Sequence, residues 1–278
     1  MTAIRFEKTI DPSDPPIICD TLAFHTHLSK LRIKHAMRQG AVWIQRGRGK
    51  MYRIRGAKAQ ARQGDTVALY YDEALLNRKP PQAHMVKDLF DYSVWFKPAG
   101  LMTQGTRFGD HCALTRQVEQ YFKPMRRCFL VHRIDREAAG LVILAHTHKA
   151  AAGLSALIRK RSMTKHYRLR VRGDLATLQK AGRIDRPLNN REALTEYRML
   201  SYDPVENQSI VSVQIHTGRR HQIRRHFEMI GFPVMGDPLY GSRNKNRQGM
   251  QLFAMALEFD CPLGHGHQKI QLDPDNIK

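Results

Sequence analysis

Residues 131–140 read Val-His-Arg-Ile-Asp-Arg-Glu-Ala-Ala-Gly, and residues 141–145 continue as Leu-Val-Ile-Leu-Ala. The second stretch is an uninterrupted apolar run of strand length, so it predicts a buried strand. The first sets His132, Arg133, Asp135, Arg136 and Glu137 directly before that strand. Loops at the ends of rigid elements are where scaffolds present reactive groups. Asp135 is the candidate, because positive neighbours such as Arg133 and Arg136 favour an ionised carboxylate. An ionised carboxylate can serve as nucleophile or base. Taken alone, Arg-x-Asp-Arg reads more often as a surface ion pair, so the assignment needs a second segment.

That segment is His216-Thr217-Gly218-Arg219-Arg220-His221-Gln222-Ile223-Arg224-Arg225-His226. Before it, residues 210–216 alternate, with Val211, Val213 and Ile215 on one side, which predicts a strand. After the Thr-Gly turn, Ile223, Phe227 and Ile230 mark one face of a helix. A helix N-terminus attracts anions through its free N–H groups and dipole, and Arg219 and Arg220 add to that field. Arg220 and Arg224 stand one helical turn apart, so Arg224 can reach inward beside Ile223. Between the two segments, Ala150–Arg159 carries a helical apolar stripe. In Lys165–Gly173 the residues Tyr167, Leu169 and Val171 alternate with His166, Arg168 and Arg170. Tyr92–Phe96 is a further short strand, ended by Lys97-Pro98-Ala99-Gly100.

The N-terminal third differs in character. Residues 1–20, rich in Pro and Asp, carry no clear period and predict an extended arm. Leu28–Arg62 holds eleven Lys or Arg and no Asp or Glu. Within it Leu28–Gln39 predicts a helix stopped at Gly40, and Ala41–Gln45 a strand. Thr66–Tyr71 predicts a second strand, entered through Gly64-Asp65. A small unit of this kind with unopposed positive charge suits a phosphate backbone, with Lys34 and Arg38 on its helix as candidate contacts. Residues 74–87 predict a linker, and 242–250 a mobile basic loop.

The 278 residues carry a formal charge of +21 and a pI near 10.2. Such an excess selects polyanionic partners. No apolar stretch approaches the roughly 20 residues of a membrane span, and the first residues lack the order of a signal peptide. Cys19, Cys112, Cys128 and Cys261 form no Cys-x-x-Cys pair, which argues against a zinc ribbon or a disulfide framework. The His-x-His pairs at 25/27, 146/148 and 265/267 have no nearby acidic or thiol ligand, so surface positions or RNA contacts are expected of them. The composition therefore predicts a soluble cytoplasmic protein of a reducing compartment, and no residue spacing in it makes a convincing metal site. Oligomeric state is not readable from the sequence; a monomer is the default, and no obligate protein partner is inferred.

Taken in order, the motifs resemble those of the RluA-type pseudouridine synthases. The His-Arg-Leu-Asp-Arg-x-x-Ser-Gly loop is matched by His132 to Gly140, and the Lys-x-Tyr strand by Lys165-His166-Tyr167. Thr-Gly-Arg-x-His-Gln-Ile-Arg is present as Thr217–Arg224. The turn Gly-x-Pro-x-x-Gly-Asp-x-x-Tyr-Gly is present from Gly231 to Gly241, and Lys-Pro-x-Gly as residues 97–100. Ala139 stands where the family has Ser, and Ile134 where it has Leu. The basic N-terminal unit resembles an S4-like RNA-binding domain through Gly40-Ala41-Val42 and Gly64-Asp65-Thr66-Val67.

The resemblance implies an α+β fold. Its catalytic domain, residues 83–278, would be built on a mixed, mainly antiparallel sheet and preceded by an S4-like domain over residues 21–82. It implies a cofactor-free isomerase in which Asp135 acts on a flipped-out uridine, Tyr167 stacks on the base and Arg224 pairs with Asp135. Arg133 would enter the space left in the RNA, and Arg136, Arg219 and Arg220 would hold its backbone. The basic module points to structured ribosomal RNA, while the Thr217–His226 run leans towards transfer RNA. Ribosomal RNA is the expectation and transfer RNA the alternative. A catalytically silent RNA-binding protein is the other rival. A metal-dependent nuclease would need clustered acidic ligands that the basic segments do not offer.

Overall fold

A computed structural model describes residues 3–123 and 125–273. The chain divides into two units. One holds the residues up to Pro80 together with Gln104–Val118, and the other holds Pro81–Thr103 with the chain from Glu119 onward. The segment Gln104–Val118 thus groups with the N-terminal residues, whereas boundaries of 21–82 and 83–278 leave it in the larger domain.

In the first unit, strands Ile4–Thr9 (β1), Val42–Gln45 (β2), Tyr52–Arg53 (β3) and Thr66–Tyr71 (β4) form an antiparallel sheet ordered β1-β4-β2-β3. Helices Ile18–Thr26 (α1) and Lys30–Arg38 (α2) and the single turn Glu73–Leu76 (α3) complete it. The helix expected over Leu28–Gln39 starts two residues later because Ser29 caps it, its side chain accepting from Arg32 N. Its apolar face, Ile33, Ala36 and Met37, shares one core with Ile18, Leu22, Val42, Ile44, Val67 and Leu69. Lys34 and Arg38 lie on the opposite, exposed face.

Two expectations in this region are corrected. Residues 1–20 are no arm: β1 pairs along its whole length with β4, and α1 begins at Ile18. The alternation was there in Ile4 and Phe6, half-buried between exposed Arg5 and Glu7, but an edge strand dilutes it with polar residues. The linker expected at 74–87 contains part of α3 and most of an exposed strand, His84–Asp88 (β5).

The other elements follow in chain order. They are Tyr92–Lys97 (β6), Leu114–Phe122 (α4), Phe129–Leu130 (β7), Ala139–Ala145 (β8), His148–Arg159 (α5), Thr164–Arg172 (β9), Ala181–Asp185 (β10), Leu194–Asp203 (β11), Gln208–Ile215 (β12), Gln222–Met229 (α6), Leu252–Asp260 (β13) and His267–Gln271 (β14). The strands make a ten-stranded sheet ordered β10-β11-β12-β9-β13-β8-β6-β5, with β14 beside β13 and β7 beside β8. All pairs are antiparallel except β8 with β13, so the fold is α+β on a mixed, mainly antiparallel sheet.

The apolar run at 141–145 is fully buried, as its composition predicts. Leu141 and Ile143 pack with Tyr92, Val94, Leu257, Phe259 and, from α5, Ala150 and Leu154. His146 is not a surface residue. It is buried between Ser93 Oγ at 2.7 Å and the Arg127 carbonyl at 2.7 Å.

The parallel contact of β8 with β13 is confined to Ala139–Phe253 and Gly140–Ala254. Gly140 has φ +122°, and a Cβ there would collide with the Ala254 backbone. Only glycine lets the charged loop enter the sheet at this point. Gly140→Ala is expected to destabilise the fold by about 2–4 kcal/mol, more than the usual glycine-to-alanine effect because backbone must move. Urea denaturation against wild type measures this, and a change within 0.5 kcal/mol would remove the argument.

Candidate active site

The loop from Val131 to Ala138 carries no regular structure, so its shape is set by what grips it. Lys97, at the end of β6, is fully buried, and its ammonium donates to the carbonyls of Pro98, Leu101 and Arg136 at 2.9, 2.7 and 3.2 Å. Burial pulls its pKa down to about 7, against the attraction of Glu137 and Asp135. Thr103 Oγ1 donates to the Ile134 carbonyl at 2.7 Å, and Gly100 N donates to the Arg136 carbonyl at 2.7 Å. His132 Nε2 accepts from Ile143 N at 3.0 Å, and burial, reinforced by Lys165, pushes its pKa down to about 3. Asp135 is therefore held on a backbone fixed from both sides.

The second motif builds the opposite wall. Gln222 opens α6 and uses all its hydrogen-bonding capacity. Its Oε1 accepts from Thr217 Oγ1 (2.7 Å) and Arg219 N (3.0 Å), and its Nε2 donates to the Leu194 carbonyl (3.0 Å) and Thr195 Oγ1 (3.0 Å). His226 sits between Thr195 Oγ1 and the Arg186 carbonyl, each at 2.9 Å. The carbonyl requires an Nε2–H, so the other ring nitrogen accepts from the threonine. These bonds lock the start of α6 to β11. Arg220 precedes His221, the left-handed residue just before α6, and so lies outside the helix, not one turn below Arg224 within it.

Arg224 is 1 % exposed, and its guanidinium serves two carboxylates. Nε and Nη2 donate to Asp237 at 2.7 Å each, and Nη1 donates to Asp135 Oδ2 at 2.9 Å. Asp237 is itself fully buried and accepts from Leu239 N at 2.8 Å and Tyr240 N at 3.1 Å. Burial alone would raise its pKa, but Arg224 and those two N–H groups hold it below the ordinary value. Burial likewise opposes charge on Arg224, and the hydrogen bonds it donates to both aspartates override it, so it stays cationic.

Asp135 Oδ1 makes no hydrogen bond among the described residues; His221 Nε2 is 3.8 Å away. Burial depresses the His221 pKa, the pull of Asp135 notwithstanding, and its Nδ1 lies 3.0 Å from Tyr240 Oη. Tyr167 lies in the inward row of β9 and is buried. Burial, with Asp135 second, pushes its phenol well above the usual range, so it keeps its proton.

Asp135, Tyr167, His221 and Arg224 line one cavity of about 550 Å³, within the size range of small-molecule sites. Of the predicted residues, Arg133, Asp135, Tyr167, Arg219, Arg220 and Arg224 all line it, beside apolar Ile158, Ile215 and Leu252. Arg136 does not; it turns to Glu137 at 2.8 Å. Lys34 and Arg38 belong to the other unit. Sequence reasoning gave no role to His221, Lys97, Asp237 or Tyr240, although each falls inside a motif it quoted. Nor is 242–250 a free basic loop: Asn244 is fully buried, donating to the Val234 and Tyr240 carbonyls, and the Lys245 ammonium meets the Asp237 carbonyl.

The model of the family described as RNA pseudouridylate synthase matches residues 91–229, half of the chain. The chain belongs to the RNA pseudouridylate synthase family. This bears out the resemblance drawn from the motifs. A protein of Aquifex aeolicus named as an uncharacterized RNA pseudouridine synthase is 29% identical over 78% of this chain and 74% of its own length. A ribosomal large subunit pseudouridine synthase D of Zymomonas mobilis is 36% identical, over 42% of this chain and 40% of that protein. The chain thus spans about three quarters of the first relative and two fifths of the second. Human RNA pseudouridylate synthase domain containing 1 shares the fold, with a TM-score of 0.58 at 22% identity over 70% of this chain and 86% of that one.

Asp237→Asn leaves Arg224 buried with only Asp135 as an anionic partner. The variant is expected to lose about 3–5 kcal/mol at pH 7, the usual effect of breaking a buried pair. Because the folded pKa of Asp237 lies below its ordinary 3.8, this contribution is complete above pH 3.8 and lost as pH falls through the lower folded value. The gap between variant and wild type in urea denaturation should therefore narrow on strong acidification; a gap independent of pH would contradict the assignment.

Proposed function

We propose that this protein isomerises uridine to pseudouridine in cytoplasmic ribosomal RNA, with Asp135 as the catalytic carboxylate. The observation that carries the reading is that Asp135 has one oxygen held by a buried arginine and the other free at the wall of a nucleoside-sized cavity. The relatives named for the ribosomal large subunit support the choice of RNA.

The reaction breaks the N1–C1′ bond and forms C5–C1′ in the same nucleotide; C5 gives up a proton and N1 gains one. No oxidant, reductant or second substrate is required. The chain's task is to hold a detached uracil while it turns. Arg224 fixes Asp135 through Oδ2, which leaves Oδ1 to meet the ribose or the base. Tyr167, protonated, offers a ring face to the uracil and a donor, but not a phenolate base. Ile158, Ile215 and Leu252 give the base an apolar bed. The target must leave its helix to enter, at a cost of a few kcal/mol, and Arg133, which lines the cavity, would fill the gap. Arg219 and Arg220 would hold flanking phosphates. The S4-like unit, with Lys34 and Arg38, would add a second grip.

Pseudouridine mapping of ribosomal and transfer RNA from cells with and without the gene tests this, with the unmodified RNA then incubated with purified protein. One ribosomal site should vanish in the deletion and return with wild type. Asp135→Asn should abolish turnover while RNA affinity stays within a few-fold. Loss of a transfer-RNA site would instead assign that substrate. Unaltered RNA, in cells and in vitro, would leave only an RNA-binding role.

A further inference from the structure

Strand β9 faces two ways. Tyr167 lines the Asp135 cavity, whereas its neighbour His166 lines a second, open cavity of about 700 Å³. Ile215 and Gln214 on β12 divide in the same manner. Successive strand residues point to opposite faces, so the second cavity lies on the reverse of the sheet from the candidate active site.

The register sets out what that reverse face carries. One row runs Arg183, Glu196, Gln214, His166, and the next runs Ala181, Arg198, Ser212, Arg168. Arg170 and Arg172 continue the same parity along β9. Arg170, Arg183 and Arg198 are exposed, and Arg168 and Arg172 half-buried. Among the described residues none of these five guanidinium groups has a hydrogen-bond or ion-pair partner. The acids on this face are otherwise engaged or peripheral. Glu196 pairs with His216 at 3.1 Å, and Asp203 accepts from Val205 N and Glu206 N. Asp185 ends the edge strand.

Five arginines spread over three strands, around an open concavity and unpaired among the described residues, are poorly explained as structural groups, since none braces a neighbour. Arg168, Arg170 and Arg172 are spaced by two residues, roughly 6.8 Å per step along a strand. Planar guanidinium forks match phosphate oxygens in pairs. We propose that the reverse face of the sheet, centred on Arg170, Arg183 and Arg198, is a second RNA-binding surface that holds the phosphate backbone of a segment remote from the target uridine. A stem-loop seated over the Asp135 cavity does not reach it, so it is used by RNAs large enough to present further helices. The inference rests on the reading of the protein as an enzyme of structured RNA, and narrows that substrate to large RNAs.

The test uses the full chain and ribosomal RNA from the deletion strain, read as binding and not as turnover. The triple variant Arg170→Gln, Arg183→Gln, Arg198→Gln is compared with wild type, with the corresponding triple lysine variant and with Asp135→Asn, across a series of KCl concentrations. If the surface binds RNA, the glutamine variant weakens Kd on the order of tenfold and lowers the slope of log K against log salt by about 2–3. The lysine variant keeps most of that slope. An unchanged slope and a Kd within twofold overturn the proposal. Phenylglyoxal labelling of wild type gives an answer that needs no variant to fold: ribosomal RNA should protect Arg170, Arg183 and Arg198, and equal labelling with and without RNA overturns it. Because no step depends on turnover, absence of pseudouridine in the mapping experiment would refute the isomerase reading and leave this result legible.

Discussion

A single buried guanidinium holds the candidate site together. Arg224 is buried away from solvent, so its charge is stable only while Asp237 accepts two hydrogen bonds from it and Asp135 a third. That requirement reaches in both directions. Toward the interior it demands the turn at 234–241, whose N–H groups satisfy Asp237 and whose shape depends on Asn244. Toward the cavity it dictates which oxygen of Asp135 is occupied and which is free. The helix carrying Arg224 is aligned in turn by Gln222 and His226 against β11. These bonds join Asp135, Arg224, Asp237 and the start of α6 into one connected polar network, of the kind that rigidifies a site.

Much of this architecture was legible in residue order. The apolar run at 141–145, the alternation through 165–173 and the helical stripe at 223–230 each carry a period strong enough to name the element. The resemblance of five ordered motifs supplied the fold and brought Asp135, Tyr167 and Arg224 into one place. Local reading failed where the signal was shared with a partner. β1 is an edge strand whose polar half hides its period, and it is defined by pairing with β4, some sixty residues away in sequence. Lys97, His221 and Asp237 sit within recognisable motifs, but their importance lies in what they touch, and no spacing rule reports a contact between β6 and a loop nearly forty residues later.

Charge shows the same division. The composition announced a polyanion partner, yet it could not distribute the arginines. The structure sorts them by work. Arg224 is an internal brace. Arg133, Arg219 and Arg220 face the cavity, Arg136 answers Glu137, and Arg168, Arg170, Arg172, Arg183 and Arg198 stand on the other side of the sheet without a hydrogen-bond or ion-pair partner among the described residues. An excess of positive charge is therefore not one property of this chain but several, of which only part concerns the uridine.

The loop that carries Asp135 is gripped largely by its main chain: Lys97, Thr103 and Gly100 bind the carbonyls of Ile134 and Arg136, not their side chains. Peptide groups are the same whatever residue bears them. Side chains in the loop are thereby freer to vary, and Ile134, where the resembling motif has Leu, is a substitution of that sort. A scaffold that clamps backbone makes its reactive geometry heritable without preserving its spelling. Side chains along such a loop can then change while the path of its main chain stays the same.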